Sequence, residues 1–497
     1  MIETSQARVA LPLSRRELMA GCGAVALVAA LSMTAPALAE PVLYASQAPS
    51  IAAAFDRWQR TGGVLVIDRD FIVESPITMA AERGRSYRLT TAGARTLKYQ
   101  GGRFHWALCL YSEGATPLII DGDLTIDGND RVSIPFFVRF ENVAGAQRRD
   151  CTISGLTCRN ARMAAGRSPI DGTPTNAYGA SGMLLAGGFD HLLLRNVAVE
   201  NVTRAAGAGR AGSQGCVGIA VTANLTGTQS ARHVTIEDFR VSHIDSEDSP
   251  SSPARGDMDG VLVFQSAERD GTRPIIRRGS IRNAAGRAVK VYAPGGGGLT
   301  QGLTIYRAVP GPGGGGAIEI AHQHGDGVIA DIDITYAGAA HLNPTTVIGM
   351  SSGTARSPGF PFGVGEVRNL RIRDTTGAVK RTLFGLQYNV VGDKTPRRYA
   401  ISDVTDDGQT RYLILPGALG TSATAEIDLT RVNAKPVQAL LASEDAARML
   451  NVVMRQVSLG GSRRVPAKVL YNDRPAPPGL RLRVDTDSTV KGLDLSL

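Results

Sequence analysis

The stretch Gly260-Val261-Leu262-Val263-Phe264 returns as Ala288-Val289-Lys290-Val291-Tyr292 and again as Ala317-Ile318-Glu319-Ile320-Ala321, at intervals of 28 and 29 residues. Thr346-Val347-Ile348-Gly349 follows 29 residues later. A short apolar strand repeating at this period is what a solenoid shows, because each coil can bury its apolar face only against its neighbours. Side chains alternate across a strand, so Val261/Val263, Val289/Val291 and Ile318/Ile320 form inward columns while Leu262, Lys290 and Glu319 point outward. Consecutive rungs lie about 4.8 Å apart. Asp259 aligns with Arg287 just before these strands, and His322 and His324 follow the third.

Working outward, a second strand series alternates with the first: His191-Leu192-Leu193-Leu194, His233-Val234-Thr235-Ile236, Leu303-Thr304-Ile305 and others. Each coil therefore supplies at least two strands. Where the interval stretches to 36 or 42 residues, a loop is inserted. The candidates are 162–180, 204–215 and 246–256, rich in Gly, Ser, Pro and Arg. Solenoid insertions gather on one face and wall a groove. The 58 glycines and the 5% aromatic content suit tight turns and small-residue stacks better than one large globular core.

The N-terminus reads as an export signal. Ser14-Arg15-Arg16-Glu17-Leu18-Met19 precedes an uncharged run and Ala37-Leu38-Ala39, the pattern of twin-arginine targeting with a small-residue cleavage site. This divides the chain into a signal peptide (1–39), a solenoid with its cap (40–405) and a C-terminal portion (406–497) of irregular coils or a second cap, also a candidate oligomerisation surface. Removal of the signal lowers the formal charge of +9 by one. The expected destination is the periplasm or the exterior, with no membrane attachment once the signal is gone. A basic exported protein meets acidic polysaccharide rather than nucleic acid, although the same charge also serves solubility. Of the five cysteines, Cys109, Cys151, Cys158 and Cys216 follow the signal; they match no zinc spacing, and their disulfide status stays open.

Past the signal, Ile51, Ala54, Phe55 and Trp58 have helical spacing behind Pro49-Ser50, and Gly62-Gly63 ends the segment. An amphipathic helix here caps the open end of the first coil. Two apolar strands follow, ending in Ser75-Pro76-Ile77. This entry resembles that of the pectin-lyase-like superfamily, and Leu124-Thr125-Ile126-Asp127-Gly128-Asn129 is similar to a strand and turn of that family. With the recurring rungs, the resemblance spans most of residues 48–405. It implies a right-handed parallel β-helix of all-β class and a carbohydrate polymer as partner, with a homotrimer among the family's assemblies. It does not choose a reaction.

Three chemistries compete. β-Elimination on an acidic polysaccharide needs a cation beside the carboxylate, a base and an acid. Arg287 and Lys290 serve the first role, His322, His324 or Lys290 the second, and Tyr292 the third, with Glu319, Arg255 and Gln265 placed to touch substrate. Hydrolysis needs paired carboxyls, and Asp257-Met258-Asp259-Gly260 resembles the Asn-Thr-Asp-Gly element of polygalacturonases, without the Asp-Asp pair and the residue order that follow there. A non-catalytic polysaccharide-binding or envelope protein is the third. No cofactor is expected. Two metal sets are also on offer: His322 and His324 with Asp326 as ligands of a transition ion, and Asp121, Asp123, Asp127 and Asp130 as ligands of calcium, although the aspartates do not fit the EF-hand loop. Lys290 with Glu319, and Asp259 with Arg287, read equally as cross-rung ion pairs.

Overall fold

In a computed structural model, Val42–Leu497 forms one compact unit. The structure describes residues 40–459 except 83, 113–116, 141–148, 165–178, 209–214, 224–229, 250–251, 253–256, 266–272, 294–297, 310–315, 323–326, 339–345, 353–363, 389–396, 417–423 and 444–448, together with short strand pieces between 465 and 494. The signal-peptide expectation lies outside the described residues. Among them, no helix is long and apolar enough to cross a membrane.

The chain is a parallel β-helix. Its first residues make the cap the sequence predicts: helix α1, Ile51–Thr61, buries Ile51, Ala54, Phe55 and Trp58. Ser50 Oγ accepts from the Ala53 amide at 3.1 Å, satisfying one of the donors that every helix N-terminus leaves over. Gly62 closes the helix at φ 67°, a conformation other residues reach only with strain. Trp58 then ties cap to coil, its Nε1 donating to Gly63 O at 2.9 Å.

Each coil has three strands, one more than the minimum the repeat implies. The first face carries Ala180–Gly187, Cys216–Thr222, Met258–Phe264, Val289–Tyr292, Ile318–His322, Thr346–Ser352 and Val379–Tyr388, each hydrogen-bonded in parallel to the next. The register is the one read from the repeat: Leu262, Lys290, Glu319 and Gly349 stand in one outward column. Val261, Val263, Val289, Val291, Ile318 and Ile320 point inward and are buried. A side chain of this kind contributes roughly 1.5–3 kcal/mol when removed from water, so the inner columns are the chief source of cohesion.

From residue 233 on, the second and third faces are supplied by single long strands, among them His233–Ser246, Ile275–Ala284, Gly298–Arg307, Gly327–Tyr336 and Val364–Asp374. The corner between the two faces falls at a residue with positive φ: Asp238 (53°), Arg278 (52°), Gly302 (64°), Asp331 (56°) and Asn369 (50°). Asn and Asp tolerate this region better than other side chains, and their carboxyls and amides bond along the stack. Asn369 Nδ2 donates to Asp331 Oδ1 at 2.8 Å, and Arg278 Nε to Asp238 Oδ1 at 2.8 Å. Every longer connection between described strands joins the first face to the second or the third face to the first. The parallel ladder continues past residue 405: Arg397–Pro416 pairs with Thr424–Ser443, and that strand with Met449–Arg455. Met449 and Leu450 begin that last strand.

Candidate functional site

On the outer side of the first face, three successive rungs bring five ionisable side chains together. Asp257 lies just before Met258–Phe264, Asp259 lies within it, Arg287 and Lys290 belong to the next rung, and Glu319 to the third. The chain can pack this closely because Gly260 stands where a Cβ would come within 2.6 Å of Ala288 O.

Arg287 is the hub. Its Nη1 lies 3.0 Å from Asp257 Oδ1 and 3.6 Å from Asp259 Oδ1, and its Nε donates to Glu319 Oε2. Its backbone amide also donates to Asp259 Oδ1, at 3.1 Å. Lys290 Nζ bonds Asp257 Oδ2 at 2.7 Å. Lys290 and Glu319 do share a column, but their partners are crossed: lysine takes Asp257 and arginine takes Glu319. The guanidinium's planar fork explains the choice, since it spans three carboxylates where a point ammonium holds one.

The two aspartates are driven in opposite directions. Asp259 is 1% exposed, and among the described residues its Oδ2 has no hydrogen-bond partner. Burial outweighs the attraction of Arg287 and pushes its carboxyl up to about 6. For Asp257, burial alone would act the same way, but Arg287 and Lys290 together overcome it and hold the half-exposed carboxyl below its usual value. Burial works against the Arg287 cation, yet Asp259, Glu319 and Asp257 raise it further above its ordinary range. Two carboxyls on one guanidinium, one inclined to hold a proton and one to lose it, are equipped for acid–base work.

Beside the charges, Phe264 and Tyr292 stack across adjacent rungs with ring centroids 4.9 Å apart and planes inclined by 10°. Phe264 is 40% exposed, so a flat apolar surface adjoins the ionic cluster. Towards the N-terminus the outward residues change character: Cys109, Phe137, Leu184, Val217 and Ala220 form a buried apolar group that ends against Leu262.

The other expected residues are distributed differently. Gln265, expected to face substrate, is buried, and its Nε2 donates to Ala231 O at 3.0 Å and Arg232 O at 3.1 Å, fastening one coil to the preceding one. His322 ends its strand, but its side chain lies outside the described residues, as do His324, Asp326 and Arg255. Of the four aspartates considered for calcium, Asp121 pairs with Arg88 at 2.7 Å and Asp127 with Arg159 at 2.9 Å, and Asp127 Oδ1 accepts from the Asn129 amide in a turn. The four cysteines are free and buried; burial pushes the Cys109 thiol up to about 12.

Sequence reasoning passed over two surface features. Asp150, Asp190 and His191 bring metal-type donor atoms within 4.8 Å of one another, with His191 stacked on His233 at 4.5 Å. A register shift between Arg149 and Cys151 adjoins this group, and nothing in the spacing announces it. A groove of about 560 Å³ lies over the third face, away from the cluster, lined in part by Asp333, Arg371, Arg373 and Asp407.

No protein-family model matches the chain, and no curated relative matches it. Among solved structures, it is similar to a catalytic domain of GH87 alpha-1,3-glucanase in complex with nigerose, at 10% identity over 92% of this chain and 70% of that one, with a TM-score of 0.38. It is also similar to the Agl-KA catalytic domain, at 11% identity over 91% of this chain and 69% of that one, with a TM-score of 0.32. At such identity and scores the likeness does not extend to residues or substrate.

Proposed function

We propose that the protein is an exported carbohydrate-active enzyme that hydrolyses glycosidic bonds along the outer groove of its first face. Asp259 acts as the proton donor and Asp257 as the ionised partner. The observation that carries this reading is the opposed protonation tendency of two carboxyls sharing Arg287. Glycoside hydrolysis asks for such a pair, one to protonate the leaving oxygen and one to activate water or stabilise the developing cation. Arg287 holds both in place, and the Phe264–Tyr292 stack offers a surface for the apolar face of a sugar ring.

Charge at the cluster argues for a neutral substrate over the acidic one that the net charge of the chain first suggests. Among the described residues the cluster holds two cations, Arg287 and Lys290, against three carboxyls, Asp257, Asp259 and Glu319. Its cations are already matched, so a uronate carboxylate would find little attraction there, and an uncharged sugar fits better.

β-Elimination is the second reading, favoured by one observation: Lys290 and the Tyr292 ring occupy adjacent outward positions on one rung, with Arg287 just before it. The test is incubation with a panel of neutral and acidic polysaccharides, following reducing ends and unsaturated-uronate absorbance together. Reducing ends without absorbance support hydrolysis. Absorbance supports elimination, and silence in both assays removes both readings.

A further inference from the structure

Between the third and first faces, far along the chain from the candidate site, a second group of charges is sealed inside the coil. Lys380 and Asp406 are buried, and Asp374 is 1% exposed at its side chain. All three occupy inward positions of their strands, in line with Phe384 and Leu386, with Leu370 and Ile372, and with Val404. Lys380 Nζ lies 2.8 Å from Asp374 Oδ2 and 3.2 Å from Asp406 Oδ1. Thr376 fixes the first carboxyl, donating to Asp374 Oδ1 through its amide at 3.0 Å and its hydroxyl at 2.6 Å. The Gly408 amide fixes the second, at 3.0 Å from Asp406 Oδ1. Gly408 must be glycine, since a Cβ there would come within 2.4 Å of Lys380 Nζ and 2.5 Å of Asp374 Cβ.

Such a group is costly as a plain ion pair, because removing charges from water offsets most of their attraction. Its geometry suits a reaction instead. An amine held against a carboxyl in a dry site is a reactant pair at high effective concentration. Among the described residues Asp406 Oδ2 has no hydrogen-bond partner, and burial raises its carboxyl above the usual range, towards the neutral acid that an amine can attack.

We propose that Lys380 and Asp406 form an intramolecular amide bond after folding, with Asp374 as the proton carrier. The Lys380 ammonium gives a proton to Asp374, and the freed amine attacks Cγ of the neutral Asp406 carboxyl. The C–N bond forms as the C–OH bond breaks. Asp374 hands its proton to the departing hydroxyl, which leaves as water, and receives the remaining amine proton in return. One water is lost, no oxidant or co-reactant is consumed, and the charges of Lys380 and Asp374 cancel. The bond staples the strand that begins at Val379 to the following coil, within Arg397–Pro416.

Intact-mass measurement of the purified full chain under denaturing conditions decides the matter. The expected result is a mass lower than the sequence by one water, with a branched tryptic peptide uncleaved at Lys380 and joined to Asp406. Full sequence mass overturns the proposal, and a branch to Asp374 overturns the assignment of Asp406. Asp406→Asn reports on the acceptor independently, since attack on an amide releases ammonia instead. Lys380→Arg keeps a cation there and should show its full mass.

Discussion

Asp259 and Arg287 meet across adjacent coils twice: the arginine amide donates to Asp259 Oδ1 at 3.1 Å, and its guanidinium lies 3.6 Å from the same oxygen. The backbone contact fixes the carboxyl independently of the arginine side chain. Geometry and charge at this position can therefore be separated by mutation.

Replacing Asp259 with Asn retains shape and removes the proton. Turnover of a glycan substrate should fall by about 10²–10⁴-fold, the usual worth of a positioned acid. Asp257→Asn should fall comparably. Initial rates at saturating substrate measure both, and a variant that keeps its full rate is removed from the mechanism.

The raised Asp259 carboxyl also sets a pH dependence of stability. Its folded-state value of about 6 exceeds the ordinary aspartate value of 3.8, so the folded protein binds this proton more tightly than the unfolded chain. That contribution is complete below the lower value and is lost as pH rises through the higher, a decline on the order of 3 kcal/mol at most. Asp259→Asn should flatten this part of the curve. Denaturant midpoints across that interval test it, and parallel curves for the two proteins would show that Asp259 does not titrate there.

Removing the guanidinium leaves Asp257, Asp259 and Glu319 facing one another. Arg287→Ala should cost about 3–5 kcal/mol, as expected when one partner of a buried ion network is lost. Arg287→Lys should recover only part of this, because one ammonium cannot span three carboxyls. Chemical denaturation of both variants supplies the comparison.

The Phe264–Tyr292 stack should matter for binding more than for chemistry. Phe264→Ala should raise KM while leaving kcat nearly unchanged, with a stability loss of about 0.5–1.5 kcal/mol for the lost ring pair. A fall in kcat at constant KM would instead place the ring against the reacting bond.

Much of this architecture was legible because a strand's alternation is short-ranged: Val261, Val289 and Ile318 announce both the winding and its register. The third face was hidden because a single residue, such as Asp238 or Asp331, joins it to the second, so that two strands read as one run. Ion-pair partners were hidden for another reason. Alignment places Lys290 beside Glu319, but the choice of Asp257 depends on how far each side chain reaches and on what else competes for it. The Lys380 group was readable in principle, since Lys380 shares the parity of Thr382, Phe384 and Leu386, yet an inward lysine means little until Asp374 and Asp406 are seen converging on it.

The one-residue bend between the second and third faces has a consequence for how such a protein changes over time. Among the described strands that corner takes at most three residues, so the longer added or lost segments fall on one border or the other of the first face. Variation in length is thereby channelled to the rims of the very surface that carries Asp257, Asp259 and Arg287. The winding can stay constant while what the groove admits is rewritten.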